Sequence, residues 1–188
     1  MTKLCVQFSG FMVRIYQGDL TKVATGAIVN AANQAMIPGG GVDGAINQAA
    51  GPSLAPLQRS LGPLAVGQAV ATPAFALPAT KIIHTVGPQY DSRRPQLMAA
   101  QLQDCYQNSL RLANQLQLPA LAFPAISTGV YHYPVAQTLP IIGAVLTDYQ
   151  QQVGTVKQID FVNYLATINQ QYQNYFRQLG LPVQMLGD

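Results

Sequence analysis

The residues able to do chemistry in this chain fall in two short polar stretches, each following an apolar run. The first holds Asn30 and Asn33, then Pro38 and the glycines Gly39, Gly40 and Gly41, then Val42 and Asp43. Three consecutive glycines before a helix let the backbone approach a ligand closely and adopt positive φ, and the helix start offers unpaired N–H groups to an anion. A phosphate cradle and a plain flexible turn both fit that pattern. Asp43 stands where the helix begins and suits an N-cap worth about 1 kcal/mol. Ile46, three residues on, cannot complete a capping box. A carboxylate beside the positive end of a helix equally suits orienting a water or hydroxyl rather than donating a proton. Asn30 and Asn33 read either as turn formers or as amides that bind sugar hydroxyls.

The second stretch, Ser127, Thr128, Gly129, Val130 and Tyr131, carries N–H groups and hydroxyls that could enclose a phosphate from the opposite side. It is not a GxSxG elbow, and neither His84 nor His132 has a Ser or Cys partner at a recognisable spacing. GxxxxGK[ST] is absent, and no GxGxxG follows a strand, which argues against a P-loop NTPase or a dinucleotide dehydrogenase. Asp19 and Leu20 fit the start of a short helix, Tyr164 fits rim packing or a stacking platform, and His84 fits a structural histidine with a satisfied hydrogen bond.

These stretches need elements to position them. Short β-branched or apolar runs predict strands at Val13–Tyr16, Ala27–Val29, Ala69–Thr72, Lys81–Val86, Ala120–Pro124 and Ile159–Asn163. Helical spacing predicts helices at Leu97–Leu116, Pro134–Gln150 and Ile168–Leu179. Strands separated by helices imply crossovers and a largely parallel or mixed sheet between helix layers, an α/β fold whose ligands bind beyond the carboxyl ends of the strands. Both polar stretches sit at such ends.

Composition narrows the partners. The chain has 188 residues, which suits one domain spanning 1–188. Only 9% are charged, and 23 glutamines spread along the chain supply a neutral solvated surface instead. The net charge is +3, but the basic residues are scattered, with Arg93 and Arg94 the one adjacent pair, so nucleic acid is not an expected partner. No apolar run spans a membrane and the opening residues lack the regions of a signal peptide, so a cytoplasmic location is expected. Cys5 and Cys105 sit in no CxxC or Cys/His cluster, and no metal site is expected. So few carboxylates also predict tolerance of mildly acidic conditions.

Taken in order, Gly18-Asp19-Leu20-Thr21, IVNAAN (28–33), GGGVDGAINQAAG (39–51), VGQAVATPAF (66–75), IIHTVGP (82–88), CYQNSL (105–110) and FPAISTGVYHYP (123–134) resemble a macrodomain of the MacroD type. That branch holds ADP-ribosyl hydrolases and O-acetyl-ADP-ribose deacetylases. The resemblance implies a three-layer α/β/α sandwich around a mixed sheet, no cofactor, and ADP-ribose, its esters and ADP-ribosylated proteins as partners. It implies that Asp19 accepts from the adenine amino group and Tyr164 lies against the adenine. Leu20, Asn30, Gly39, Gly40, Gly41, Val42, Ser127, Thr128, Gly129, Val130 and Tyr131 would complete the ligand site. Asn33 and Asp43 would act at the distal ribose, with Asp43 a base or a water-positioning group.

Three residues depart from the branch pattern. Asn47 stands where the family commonly has His, His132 replaces the Gly of GVYGYP, and Pro38 stands where a further Gly often precedes GGG. These departures imply slower turnover with binding retained, so a reader module that binds ADP-ribose without hydrolysing it is the alternative.

Overall fold

The computed structural model describes residues 2–152 and 154–187. A hairpin opens the chain: β1 (Lys3–Phe8) turns through Ser9-Gly10 into β2 (Phe11–Gln17). β3 (Ala27–Ala32) leads to helices α1 (Gly41–Ala50) and α2 (Leu54–Ser60), then to β4 (Ala69–Pro73) and β5 (Lys81–Val86). Three further crossovers follow, giving α3 (Pro95–Gln115), β6 (Ala120–Phe123), α4 (Val135–Tyr149), β7 (Gln158–Asn163), α5 (Ala166–Arg177) and β8 (Val183–Leu186).

The eight strands form one sheet in the order β4-β5-β3-β6-β7-β2-β1-β8. Its five inner strands are parallel, whereas β4, β1 and β8 join antiparallel at the flanks, so the sheet is mixed as expected. Alternation along the strands feeds both faces. Val29 and Ile83 join the larger core under α3, α4 and α5, while their neighbours Ile28 and Ile82 join a second core under α1 and α2. The result is the three-layer α/β/α sandwich. α3 shows why these segments are helical: Pro95 occupies a first-turn position, and Met98, Leu102, Cys105, Tyr106 and Ala113 repeat as one buried stripe.

Three elements were not anticipated. β1 carries a hairpin signal in its Ser9-Gly10 turn, where Gly10 has φ 88°. β8 is a four-residue exposed edge strand with no alternation of burial, and α2 is only two turns long. Among the described residues no helix is long and apolar enough to cross a membrane, and no cluster of three His, Cys, Asp or Glu could hold a metal.

One feature of the sheet creates the site. β3 runs beside β5 along its whole length but stays registered with β6 only at Ala27↔Leu121 and Ile28↔Ala122. The chain leaves β3 toward one edge of the sheet and returns as β6 on its other side. Beyond Ile28 the two strands part, opening a crevice at the point where strand order reverses.

Candidate functional site

The crevice is a cleft of about 670 Å³, within the range of small-ligand sites. Segments following β2, β3, β5, β6 and β7 line it, all at the carboxyl edge of the parallel strands. The β3–α1 loop with its glycines forms one wall and Pro124–Tyr131, after β6, forms the other. Of the sequence-derived site residues, Asp19, Leu20, Asn33, Gly39, Gly40, Gly41, Val42, Asp43, Ser127, Thr128, Gly129, Val130, Tyr131 and Tyr164 line the cleft. Asn30, Asn47 and His132 do not.

Unspent backbone donors belong to both of the lining segments. The amides of Gly40, Gly41 and Val42, at the start of α1, meet no acceptor among the described residues, nor do those of Gly129, Val130 and Tyr131. Ser127 and His132 bracket the second loop with φ of 64° and 54°, a left-handed backbone that side chains disfavour. The buried Ser127 hydroxyl has no partner among the described residues. No Lys or Arg lines the cleft; its charged groups are Asp19 and Asp43.

Asp43 does not cap the helix. The N-cap is Gly40, and Asp43 lies inside the first turn with 3% of its surface exposed. Its Oδ2 accepts the Gly39 N–H at 2.5 Å, while its Oδ1 accepts from Asn30 Nδ2 at 2.6 Å and Gln58 Nε2 at 3.1 Å; Asn47 Nδ2, 3.3 Å from Oδ1, donates at 3.0 Å to the Asp43 backbone carbonyl and to Gln58 Oε1. All the partners donate, as an ionised carboxylate requires, because it only accepts.

Asn30, expected as a turn former or an amide that binds sugar hydroxyls, is instead an interior strand residue outside the cleft lining. It is fully buried within β3, and its amide donates to Asp43 and to His84 Nδ1 at 3.0 Å. An acceptor at Nδ1 makes His84 a neutral imidazole whose Nε2–H donates to Thr72 Oγ1 at 2.9 Å. Burial favours the same form, lowering the His84 pKa to about 4. Asn33 closes its own loop, donating from Nδ2 to the Ile37 carbonyl at 2.6 Å, and still lines the cleft. A Cβ on Gly39 would lie 3.3 Å from both Asn33 Nδ2 and Asp43 Oδ2, so the two side chains converge on that glycine.

At the far end, Asp19 caps a 3-10 turn (Leu20–Lys22) by accepting from Thr21 N at 2.9 Å and Thr21 Oγ1 at 2.7 Å through Oδ1, which leaves Oδ2 unengaged. Tyr164 stands on the rim, 78% exposed. His132 is exposed outside the cleft lining. Sequence reasoning missed Gln58, which has no motif signal, and Asn163, a buried lining residue whose position at the end of a strand was the available signal.

Close approach sets the first wall. A Cβ on Gly44 would sit 2.7 Å from the Gly39 carbonyl oxygen, so the loop lies on the helix only because residue 44 has no side chain. Gly44→Ala is expected to move Gly39 off Asp43 and weaken anionic-ligand binding about tenfold, with a smaller effect on stability. Calorimetric titration with a nucleoside diphosphate checks it; an unchanged Kd would mean that the loop binds equally well when displaced.

The chain is similar to known proteins in both sequence and fold. The Macro domain family model matches residues 29–142. A macro domain-containing protein of Ralstonia nicotianae is 53% identical over 129 residues, covering 69% of this chain and 75% of the relative. A Salmonella newport protein named O-acetyl-ADP-ribose deacetylase is 41% identical over 172 residues, 89% of this chain and 96% of its own. The structure of an Oceanobacillus iheyensis macrodomain with ADP superposes with a TM-score of 0.89 at 34% identity, covering 95% of this chain and 97% of that one. A Trypanosoma brucei macrodomain in complex with ADP-ribose gives 0.79 at 33%, covering 86% and 68%. With its amide-walled cleft at the sheet's switch point and a family match over more than half its length, this chain belongs to the macro domain family.

Proposed function

We propose that the cleft binds ADP-ribose and hydrolyses its esters, both O-acetyl-ADP-ribose and mono-ADP-ribose joined to an aspartate or glutamate of a protein. The observation that carries this reading is Asp43 bonded to Gly39 in a cleft lined by two segments whose backbone amides meet no acceptor among the described residues. Backbone N–H groups at a helix start and in a tight polar loop suit a diphosphate, whose oxygens accept from several donors at once. With the diphosphate anchored there, adenine extends toward Asp19 and Tyr164, and the distal ribose toward Asn33 and Asp43. The name of the Salmonella relative supports the deacetylation, and the ADP and ADP-ribose held by the two related macrodomains support the choice of ligand.

Hydrolysis then asks little of the protein beyond placement. Water adds to the ester carbonyl carbon, the bond to the ribose oxygen breaks, and the proton from water ends on that oxygen, leaving a carboxylic acid and ADP-ribose. Anchoring makes the water effectively concentrated at the ester, and Asp43 orients it and draws on its proton. Incubation with a mono-ADP-ribosylated protein and measurement of free ADP-ribose tests the reading. Release is expected; tight binding without release would identify the reader that Asn47 favours, and RNA that displaces ADP-ribose at physiological salt would overturn both.

A cleft that grips an anion with dipoles alone has a further consequence. Raising NaCl from about 50 to about 500 mM is expected to change the ADP-ribose Kd less than about threefold, because no cation in the lining is there to be screened. A steep loss of affinity would mean that Lys or Arg side chains outside the lining hold the diphosphate.

A further inference from the structure

Gln58 is the buried group that this mechanism leaves unexplained. It comes from α2, lies outside the cleft lining, and has no exposed surface. A buried glutamine side chain usually costs stability unless its donors and acceptor are satisfied. Here both ends are engaged. Its Oε1 accepts from Asn47 Nδ2 at 3.0 Å while its Nε2 donates to Asp43 Oδ1 at 3.1 Å. The carboxylate can only accept, so the orientation of this amide is forced.

We infer that Gln58 is a positioning residue for the reaction, the α2 arm of a two-amide clamp that fixes the Asp43 carboxylate. Amides from β3 (Asn30) and α2 (Gln58) converge on Oδ1, while Asn47 of α1 spends its two hydrogens on the Asp43 backbone carbonyl and on Gln58 Oε1, both at 3.0 Å, and so holds the Gln58 amide in place. That oxygen's lone pairs are consumed by the protein, whereas Oδ2 accepts only the Gly39 amide and keeps a lone pair for water. The clamp thereby decides which oxygen reacts and at what angle. The titratable groups around it are Asp43 itself and, one amide away through Asn30, His84 of β5.

The inference rests on the hydrolytic reading, and the variants Gln58→Leu and Gln58→Glu separate the two. Leucine keeps the volume and removes the donor: kcat for O-acetyl-ADP-ribose is expected to fall about tenfold while KM and the Kd for ADP-ribose stay within about twofold, since Gln58 touches no ligand. Glutamate restores the donor only when protonated, when its O–H serves Asp43 and its carbonyl still accepts from Asn47. Two carboxylates this close share one proton as the pH falls. The deficit of Gln58→Glu relative to wild type is therefore expected to shrink between pH 8 and pH 5.5, while that of Gln58→Leu stays constant across the range. A purely structural role for Gln58 would give no such divergence.

Wild-type kcat in Gln58→Leu, or parallel pH profiles for the two variants, would overturn the clamp while leaving the hydrolytic reading intact. Wild-type protein that turns nothing over would overturn the hydrolytic reading instead. The clamp then has its own readout in amide hydrogen exchange at Gly39, whose N–H is held by Asp43. Faster exchange in folded Gln58→Leu than in wild type supports it, and equal exchange removes it.

Discussion

Replacing Asp43 with alanine is expected to lower ester hydrolysis at least about tenfold, a loss of about 1.4 kcal/mol of transition-state stabilisation, with a smaller change in ADP-ribose affinity. The asymmetry follows from geometry. The diphosphate is assigned to the undonated amides of Gly40–Val42 and Gly129–Tyr131, none of which Asp43 accepts from. The water-facing Oδ2 is lost outright, and the Gly39 amide loses its acceptor. Stability should also drop, because Asn30 and Gln58 each lose an acceptor and a stranded buried donor costs about 1–3 kcal/mol. Calorimetry with ADP-ribose on the same sample shows whether the variant is folded. Turnover equal to wild type in a folded Asp43→Ala protein would remove this residue from the mechanism.

Acid is expected to destabilise the fold through one histidine, by up to about 3 kcal/mol between pH 6.5 and pH 4. His84 has no exposed surface, and burial lowers its pKa from 6.5 to about 4. Above pH 6.5 neither the folded nor the unfolded chain binds a proton at this ring. As the pH falls from 6.5 toward 4 the unfolded chain gains a proton that the folded chain refuses, so stability declines with pH. Below about 4 the folded state protonates too and the loss levels off. Urea denaturation at pH 7 and pH 4.5 measures the slope, and His84→Gln, which cannot titrate there, should lower absolute stability but flatten that slope. An unchanged slope in the variant would place the acid sensitivity elsewhere. The acid tolerance expected from the scarcity of carboxylates therefore meets an opposing force. Protonation of Nδ1 would also turn an acceptor for Asn30 into a donor and loosen the chain that ends at Asp43.

The strands that were legible in the sequence are those with strong local signals. Lys81–Val86 is a run of apolar and β-branched residues with one histidine, and its bounds agree with those of β5. β8 was not legible because its four residues are exposed on an edge, where no burial pattern is imposed on them. The long helices were readable from their stripes to within two residues at each end, as frayed termini allow. At the site, Gly39–Val42 and Ser127–Tyr131 announced themselves because backbone chemistry there depends on residue type in a continuous segment. Asp43 was recognised as an acidic group at a helix start, but its placement as an N-cap was wrong by one turn's geometry: Gly40 takes that position and the carboxylate folds inward.

By itself the sequence determined the layered α/β architecture, the two loops that wall the cleft and the acid beside them, because each depends on patterns within some twenty consecutive residues. Only the tertiary structure decided how that acid is held. Asn30, Gln58 and His84 stand 13, 15 and 41 positions from Asp43 on three different elements, and they meet it or one another only after β3, β5, α1 and α2 have packed around the second core. These hydrogen bonds act over about 3 Å, whereas the elements that carry their donors and acceptors are brought within that reach only by packing, which no local residue pattern specifies. Spacing along the backbone therefore carries no trace of the clamp.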